Sequence, residues 1–118
     1  MNKAVCYFYC LPSGKSPVSE WLSSLDLRTR TKFSAIKDLL EEFGRDLREP
    51  YAKYVGDGIF ELRFSGSEGA VRVLYFFFEG NKIIFTNGFI KKTDKLPQHE
   101  KQIAIQRKNS FLQGGKQP

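Results

Sequence analysis

Basic side chains interrupt three strongly apolar segments in the second half of the sequence. Arg63 stands in the run FELRF, Arg72 in the run AVRVLYF, and the adjacent Lys91 and Lys92 at the end of the run IIFTNGFIKK. Since side chains alternate between the two faces of a strand, Arg63 shares a face with Glu61. A short turn between the first two runs would also make Arg63 and Arg72 cross-strand neighbours. The pattern predicts a patch of positive charge on one face of a sheet.

Such a patch has the chemistry needed to cleave RNA by attack of its own 2′-hydroxyl group. A base removes the hydroxyl proton, cations stabilise the charge on the phosphoryl oxygens, and an acid protonates the 5′-oxygen leaving group. Arg suits the stabilising role because its planar fork pairs with two phosphate oxygens, and a Lys crowded by other cations can transfer protons. Lys53 and Lys95 could extend the patch and bind the RNA backbone. A purely structural interpretation also stays open. In that case Glu61 and Arg63 form an ordinary surface pair, and Lys91 and Lys92 are a solvated end of a strand.

The single histidine and the two cysteines limit other kinds of chemistry. His99, at the start of the last predicted helix, could act as a general base, although an isolated exposed histidine commonly has no such role. One His together with Cys6 and Cys10 provides too few ligands for a zinc site. We therefore expect no bound metal ion and no cofactor, and we interpret both cysteines as reduced thiols of a cytoplasmic protein.

The composition is that of a small, folded and basic protein. Of the 118 residues, 41% are hydrophobic and 14% aromatic, which suits a single domain with a buried core. The 19 Lys and Arg residues exceed the 13 Asp and Glu residues, and the pI is near 9.4. This excess favours an anionic partner, which could be a nucleic acid, an acidic protein segment or a membrane surface. No apolar run has the length of a membrane span or the pattern of a signal peptide, so we expect no membrane insertion.

The first half of the chain has the pattern of one strand and two helices. A strand is predicted over 4–9 because the segment is aromatic and β-branched. Ser16 and Pro17 start a short helix, and a second helix is capped by Asp26 and ended by Gly44. The two helices have almost no linker, which predicts an αα-hairpin.

The second half changes to the period of strands. Gly-rich breaks separate three runs that predict an antiparallel meander over 59–64, 70–78 and 82–90. Pro97 starts a last helix that extends to about Phe111. We predict an α+β domain over 1–112 and a flexible tail over 113–118, with all helices on one sheet face and the arginines exposed on the other.

Three of these segments, with their spacing, resemble the phage-associated HigB-like branch of the RelE/ParE toxin superfamily. The matching motifs are GIFELR at 58–63, VRVLY at 71–75 and GFIKKT at 88–93, followed by Pro97 and Glu100. The likeness extends from roughly Ala4 to Arg107, and the predicted order of elements agrees with the fold of that family.

The resemblance implies the toxin of a type II toxin–antitoxin pair, an endoribonuclease that enters the ribosomal A site and cleaves mRNA there. It implies a helix-turn-helix, HigA-like antitoxin as the partner. By position it implies catalytic roles for Arg63, Arg72 and Lys92, with Lys91 added to their patch. Two alternatives stay open, because the superfamily also contains ParE toxins that poison DNA gyrase, and a phage-derived relative could have kept only the binding of its antitoxin.

The chain also departs from the pattern of RelE-type enzymes. Glu61 stands where those enzymes often have Lys, although Glu is usual in the HigB-like branch. Asn87 stands where many relatives have His. No Tyr follows Tyr75, so His99 is the nearest substitute for a catalytic Tyr or His near the C-terminus. These departures leave the identity of the general base open.

Overall fold

A computed structural model describes residues 3–114, which form a five-stranded mixed sheet with helices on both sides. In chain order the elements are β1 (Val5–Phe8), α1 (Pro17–Ser23), α2 (Leu27–Phe43), a 3₁₀ turn (Gly44–Asp46), β2 (Ala52–Gly56), β3 (Ile59–Gly66), β4 (Gly69–Phe78), β5 (Lys82–Lys91) and α3 (Gln98–Gly114). The strands lie in the order β1-β5-β4-β3-β2, with β1 parallel to β5 and the other neighbours antiparallel. The predicted α+β class and the meander of β3, β4 and β5 are confirmed.

The sequence pattern predicts four of the five strands and misses β2. This strand lies at the edge of the sheet, where only β3 pairs with it, and Ala52 is its one buried residue. Because an edge strand contacts solvent along one side, its sequence AKYVG lacks the apolar run that marks the inner strands. The strand bears on the site because it places Lys53 directly opposite Glu61.

Helices cover both faces of the sheet, so the prediction that all of them lie on one face is wrong. α1 and α2 pack on the face that carries Val73 and Tyr75, whereas α3 packs on the face that carries Leu74 and Phe76. All four residues are at most 1% exposed. A continuous apolar run is typical of a strand buried on both sides, and the run VLYFF carries that signal. α3 therefore occupies part of the face that was expected to be open.

α1 and α2 begin after the residues predicted to cap them, and α2 ends at the predicted Gly44. The Ser16 side chain accepts a hydrogen bond from the Ser19 N–H, and the Asp26 carboxylate accepts one from the Thr29 N–H. Gly44 ends α2 with a φ of 55°, a conformation that glycine adopts readily. The predicted αα-hairpin holds only for the short connection, because α1 packs mainly on β5 and α2 mainly on β3.

The turn between β3 and β4 is tied to the start of α2. The Ser67 hydroxyl donates to Asp26 Oδ2 at 2.5 Å, and the Ser67 N–H donates to Thr29 Oγ1 at 3.0 Å. These bonds hold the end of the hairpin that carries Arg63 and Arg72.

The last helix, α3, extends beyond its predicted end. Gln113 and Gly114 belong to it, and the other positions of the predicted tail over 113–118 lie outside the described residues. None of the helices between residues 3 and 114 combines the length and the apolar character that crossing a membrane requires.

Candidate functional site

β3 and β4 bring Arg63 and Arg72 together. The two residues lie directly opposite each other in the strand register, which confirms that they are cross-strand neighbours. Two positions earlier on β3, Glu61 lies opposite Lys53 on β2. Opposed residues of an antiparallel pair have side chains on the same face, so all four residues lie on the α3 side of the sheet. Arg63 and Arg72 are called the arginine pair below.

The carboxylate of Glu61 lies between the two guanidinium groups. Glu61 Oε1 is 3.3 Å from Nε of Arg63 and 3.6 Å from Nε of Arg72, and the Glu61 side chain is 2% exposed. These contacts are ion pairs without hydrogen-bond geometry, because Glu61 Oε2 and both Nε atoms have no hydrogen-bond partner among the described residues. Each unpaired buried polar atom costs about 1–3 kcal/mol. Both Nε atoms keep an ion pair with Glu61 Oε1, so the full cost applies only to Glu61 Oε2, and the incomplete hydrogen bonding of the cluster requires an explanation other than stability.

Arg72 is less exposed than the sequence pattern predicts. Its side chain is 11% exposed and that of Arg63 is 26% exposed, and Arg72 lies on β4 between Arg63 of β3 and Phe89 of β5. Arg72 Nη1 donates to the Val71 carbonyl at 2.9 Å. Burial, and then the nearby Arg63, lower the pKa of Arg72, whereas Glu61 raises it. The ordinary pKa of Arg is so high that the Arg72 guanidinium group stays charged near neutral pH despite this lowering.

The arginine pair lies where two cavities meet. The first, called the basic cavity, has a volume of 300 Å³, and besides the pair it is lined by Ala70, Lys91, Lys92, Thr93 and Asp94. The second, called the edge groove, has a volume of 620 Å³ and a mostly apolar lining from α2 and from the segment before β2. Lys91 reaches the pair because it lies opposite Ala70, two residues from Arg72 on β4. The fold therefore assembles Arg63, Arg72, Lys91 and Lys92, four of the predicted site residues.

Three predicted residues lie apart from this assembly. Lys53 is exposed and lines a different cavity together with Arg45 and Arg48. Lys95 and His99 are exposed and line neither the basic cavity nor the edge groove as far as the described chain shows. α3 directs Glu100 toward the sheet, and His99, one position earlier on the helix, faces solvent.

A second polar cluster lies on the same face and fastens α3 to β5. Asn87 Nδ2 donates to the carbonyl and to Oε1 of Glu100, at 3.1 and 2.9 Å, and the Thr86 hydroxyl donates to Asn87 Oδ1 at 2.7 Å. Arg107 Nη1 donates to the Thr86 carbonyl at 2.7 Å, and burial lowers the pKa of Arg107. Thr86 and Asn87 sit at an irregularity of the β4–β5 register, which lets both turn toward α3. Asn87 is thus occupied in fastening α3.

Two features of the site are not predicted from the sequence, and only one of them has a sequence signal. The burial of Glu61 has one, because an acidic residue between Phe60 and Leu62 is unusual in an otherwise apolar strand. Lys32 lines the edge groove but has none, since it is one of several charges along α2. Within residues 3–114, no three or more His, Cys, Asp or Glu side chains are grouped so that they could hold a metal ion.

The sequence matches the family described as Phage derived protein Gp49-like (DUF891) over residues 20–109. This range contains the arginine pair, the basic cavity and the edge groove. No curated protein matches the chain. The chain therefore belongs to the Gp49-like family of phage-derived proteins, which lies within the broad RelE/HigB-like group of toxins.

Proposed function

We propose that this protein is the toxin of a type II toxin–antitoxin pair of the HigB kind and that it cleaves mRNA in the ribosomal A site. A helix-turn-helix, HigA-like antitoxin would hold it inactive. The observation that carries the proposal is the arginine pair, two guanidinium groups around one buried carboxylate at the junction of two cavities. Membership of the Gp49-like family is consistent with a toxin of this kind.

The arrangement can supply the charge stabilisation that RNA cleavage needs. An RNA strand along the basic cavity would place backbone phosphates near Lys91 and Lys92 and the scissile phosphate at the arginine pair. As the 2′-oxygen bonds to phosphorus and the bond to the 5′-oxygen breaks, both guanidinium groups would stabilise the negative charge on the non-bridging oxygens. Because Glu61 already holds the two groups in position, little reorganisation would accompany the reaction.

Two proton transfers complete the proposed reaction. A base takes the proton of the 2′-hydroxyl group, and an acid gives a proton to the departing 5′-oxygen, which leaves a 2′,3′-cyclic phosphate and a 5′-hydroxyl group. Lys91 and Lys92 are the amines that line the basic cavity, so we assign these transfers to them, one as the neutral amine that accepts the 2′-hydroxyl proton and the other as the ammonium that protonates the 5′-oxygen. His99 receives no role, since it is exposed and outside both cavities.

Primer extension on a defined mRNA tests the proposal. Purified protein is incubated with the mRNA with and without ribosomes, as wild type and as the double variant Arg63→Ala/Arg72→Ala. The matched control is Arg28→Ala/Arg30→Ala, which removes two exposed arginines of α2 outside both cavities. We expect cuts only with ribosomes, a loss of about 10²-fold or more in the double variant, and near wild-type cleavage by the control.

Other outcomes would each contradict a stated part of the proposal. Cuts without ribosomes would support the nuclease activity and contradict cleavage in the ribosomal A site. Equal losses in the double variant and in the control would mean that total charge matters rather than the arginine pair. No cuts by a folded protein that still arrests growth would point to DNA gyrase, and no cuts without growth arrest would point to a protein that only binds its antitoxin.

A further inference from the structure

The edge groove follows from the unequal lengths of β2 and β3. The first residue of β2, Ala52, lies opposite Leu62, whereas β3 continues to Gly66 with β4 as its partner. The segment before β2 runs beside this free edge, and the Tyr51 carbonyl accepts a hydrogen bond from the Arg63 N–H at 2.8 Å. A groove of 620 Å³ therefore opens between that segment, α2 and the end of β3, and it reaches the arginine pair.

The lining of the groove is apolar and aromatic, and its charges have one sign. Ala35 and Leu39 of α2 form one wall, and the rings of Tyr51 and Phe64 contribute to the lining beside β3. Tyr51 is 44% exposed, so its ring is accessible to a ligand. The charged residues of the lining are Lys32 and the arginine pair, and no acidic residue lines the groove within the described chain. This combination fits an anion that carries a flat, weakly polar group.

We propose that the edge groove binds the nucleobase of the nucleotide whose phosphate lies at the arginine pair, and so determines which RNA sequences the site accepts. The inference rests on the proposed function. The groove and the basic cavity share Arg63, Ala70 and Arg72, so one nucleotide can place its phosphate at the pair and its base in the groove. The volume lies in the range of about 300–1,000 Å³ that is usual for small-molecule sites.

Stacking and charge would select the base within the groove. Aromatic side chains stack on the face of any base, so Tyr51 would contribute affinity with little selectivity. Lys32 adds a donor of hydrogen bonds at the rim, and Lys side chains pair with the O6 and N7 acceptors of guanine. An acidic peptide would satisfy the cations, but the aromatic lining beside them favours a nucleotide.

Amide NMR spectra of the purified protein test this proposal without ribosomes. The probes are guanosine monophosphate and, as the control, inorganic phosphate. We expect the nucleotide to shift the amide signals of Leu39, Tyr51 and Ser65, and phosphate to shift only signals around Arg63 and Arg72. Tyr51→Ala should weaken nucleotide binding about tenfold, whereas Tyr54→Ala, which removes an exposed ring outside the groove, should not.

A second pair of variants tests base selection in the primer-extension assay. Lys32→Gln should change the bases found at the cut sites, and Arg30→Gln, on another side of the same helix, should leave them unchanged. Identical groove shifts with phosphate and nucleotide would overturn the inference. So would groove shifts that arise with an acidic apolar peptide and not with the nucleotide, since the groove would then be a protein-docking surface.

These results separate the inference from the proposed function. Nucleotide binding in the groove without ribosome-dependent cleavage would contradict the proposed function and leave the base site in place. Cleavage at an unchanged set of sites by Lys32→Gln, together with wild-type nucleotide binding by Tyr51→Ala, would keep the proposed function and overturn the base site.

Discussion

Two polar clusters lie on the same face of the sheet and differ in how their atoms are paired. In the first, hydrogen bonds of 2.7–3.1 Å join β5 to α3, and they connect Thr86, Asn87, Glu100 and Arg107. In the second, Glu61 and the arginine pair are in contact, yet one carboxylate oxygen and both Nε atoms have no hydrogen-bond partner among the described residues. The first is called the paired network below.

The difference separates a structural role from a functional one. Buried polar groups that pair with one another hold the fold, and here they compensate for the limited apolar contact of α3, which buries only Ala104 and Phe111 fully. Buried groups with unused capacity weaken the fold, so their presence beside two cavities indicates a place for a ligand. Substitutions in the first cluster should therefore reduce stability alone, whereas substitutions in the second should reduce activity as well.

The largest effect is expected for Arg72. Arg72→Ala should reduce ribosome-dependent cleavage by roughly 10²–10³-fold, because an Arg on a developing phosphorane is poorly replaced by water. Its burial means that the protein should also lose about 1–3 kcal/mol of unfolding free energy, since Glu61 keeps only Arg63. Arg72→Lys keeps the charge next to Glu61 and serves as the control for folding. Primer extension and urea unfolding measure the two effects. A folded Arg72→Ala variant with wild-type cleavage would show that Arg72 has no part in the mechanism.

A substitution in the paired network should reduce stability and leave activity in place. Asn87→Leu removes three hydrogen bonds and leaves Glu100 Oε1 without its Asn87 donor, although the Thr86 hydroxyl can still donate to the Leu74 carbonyl, so the unfolding free energy should fall by about 1–3 kcal/mol. Cleavage per folded molecule should stay within a few-fold of wild type. Thermal unfolding and primer extension below the transition temperature measure the two effects. A folded Asn87→Leu that has lost cleavage would show that the two clusters act together.

Glu61 should separate RNA binding from cleavage. Glu61→Gln keeps the size of the side chain but removes the charge that holds the two guanidinium groups, so cleavage should fall about tenfold. RNA affinity should be unchanged or higher, because the local net charge becomes more positive. Binding to a single-stranded RNA oligonucleotide and single-turnover cleavage with ribosomes measure the two quantities. Glu61→Asp, which retains the charge, should recover part of the cleavage.

Parallel losses of binding and cleavage in Glu61→Gln would contradict this positioning role. They would indicate that the carboxylate supports only the structure around the arginine pair. Unfolding curves of both Glu61 variants distinguish this outcome from a general loss of folded protein.

The smallest effect is expected at Asp26, which caps α2 and holds the β3–β4 turn. Hydrogen bonds from Ser67, and then from Thr29, lower the pKa of Asp26 below its ordinary value of 3.8. A carboxyl group with a lowered folded-state pKa stabilises the protein above its unfolded-state pKa, and this contribution disappears as the pH falls through the folded-state value. Asp26→Asn should therefore be less stable than wild type at pH 7, and the difference should shrink below about pH 4.

Urea unfolding at pH 7, 4 and 2.5 measures the pH dependence of Asp26. The control is Asp38→Asn, which neutralises another exposed acid of α2 that has no role in the cap. A difference between Asp26→Asn and wild type that stays constant over this range would show that the cap acts through geometry rather than through charge.

Local patterns in the sequence predict most of the elements and one central contact. Asp26 and Gly44 mark the ends of α2 because capping and a positive φ depend on neighbouring residues only. The alternation in FELRF and AVRVLYF, with one short turn between them, is enough to place Arg63 opposite Arg72. The edge strand β2 is missed because a strand with one neighbour needs few apolar residues.

By itself, the sequence determined the helices and inner strands, the strand register at Arg63 and Arg72 and the basic character of the chain, since each depends on short-range spacing or on composition. The tertiary structure decided which face α3 covers, how deeply Glu61 and Arg72 are buried, and that Lys91 and Lys92 reach the arginine pair while Lys95 and His99 do not. It also created the edge groove from α2, Tyr51 and the free end of β3, which are distant in the chain. Burial and convergence depend on the packing of such distant segments, and no local pattern encodes that packing.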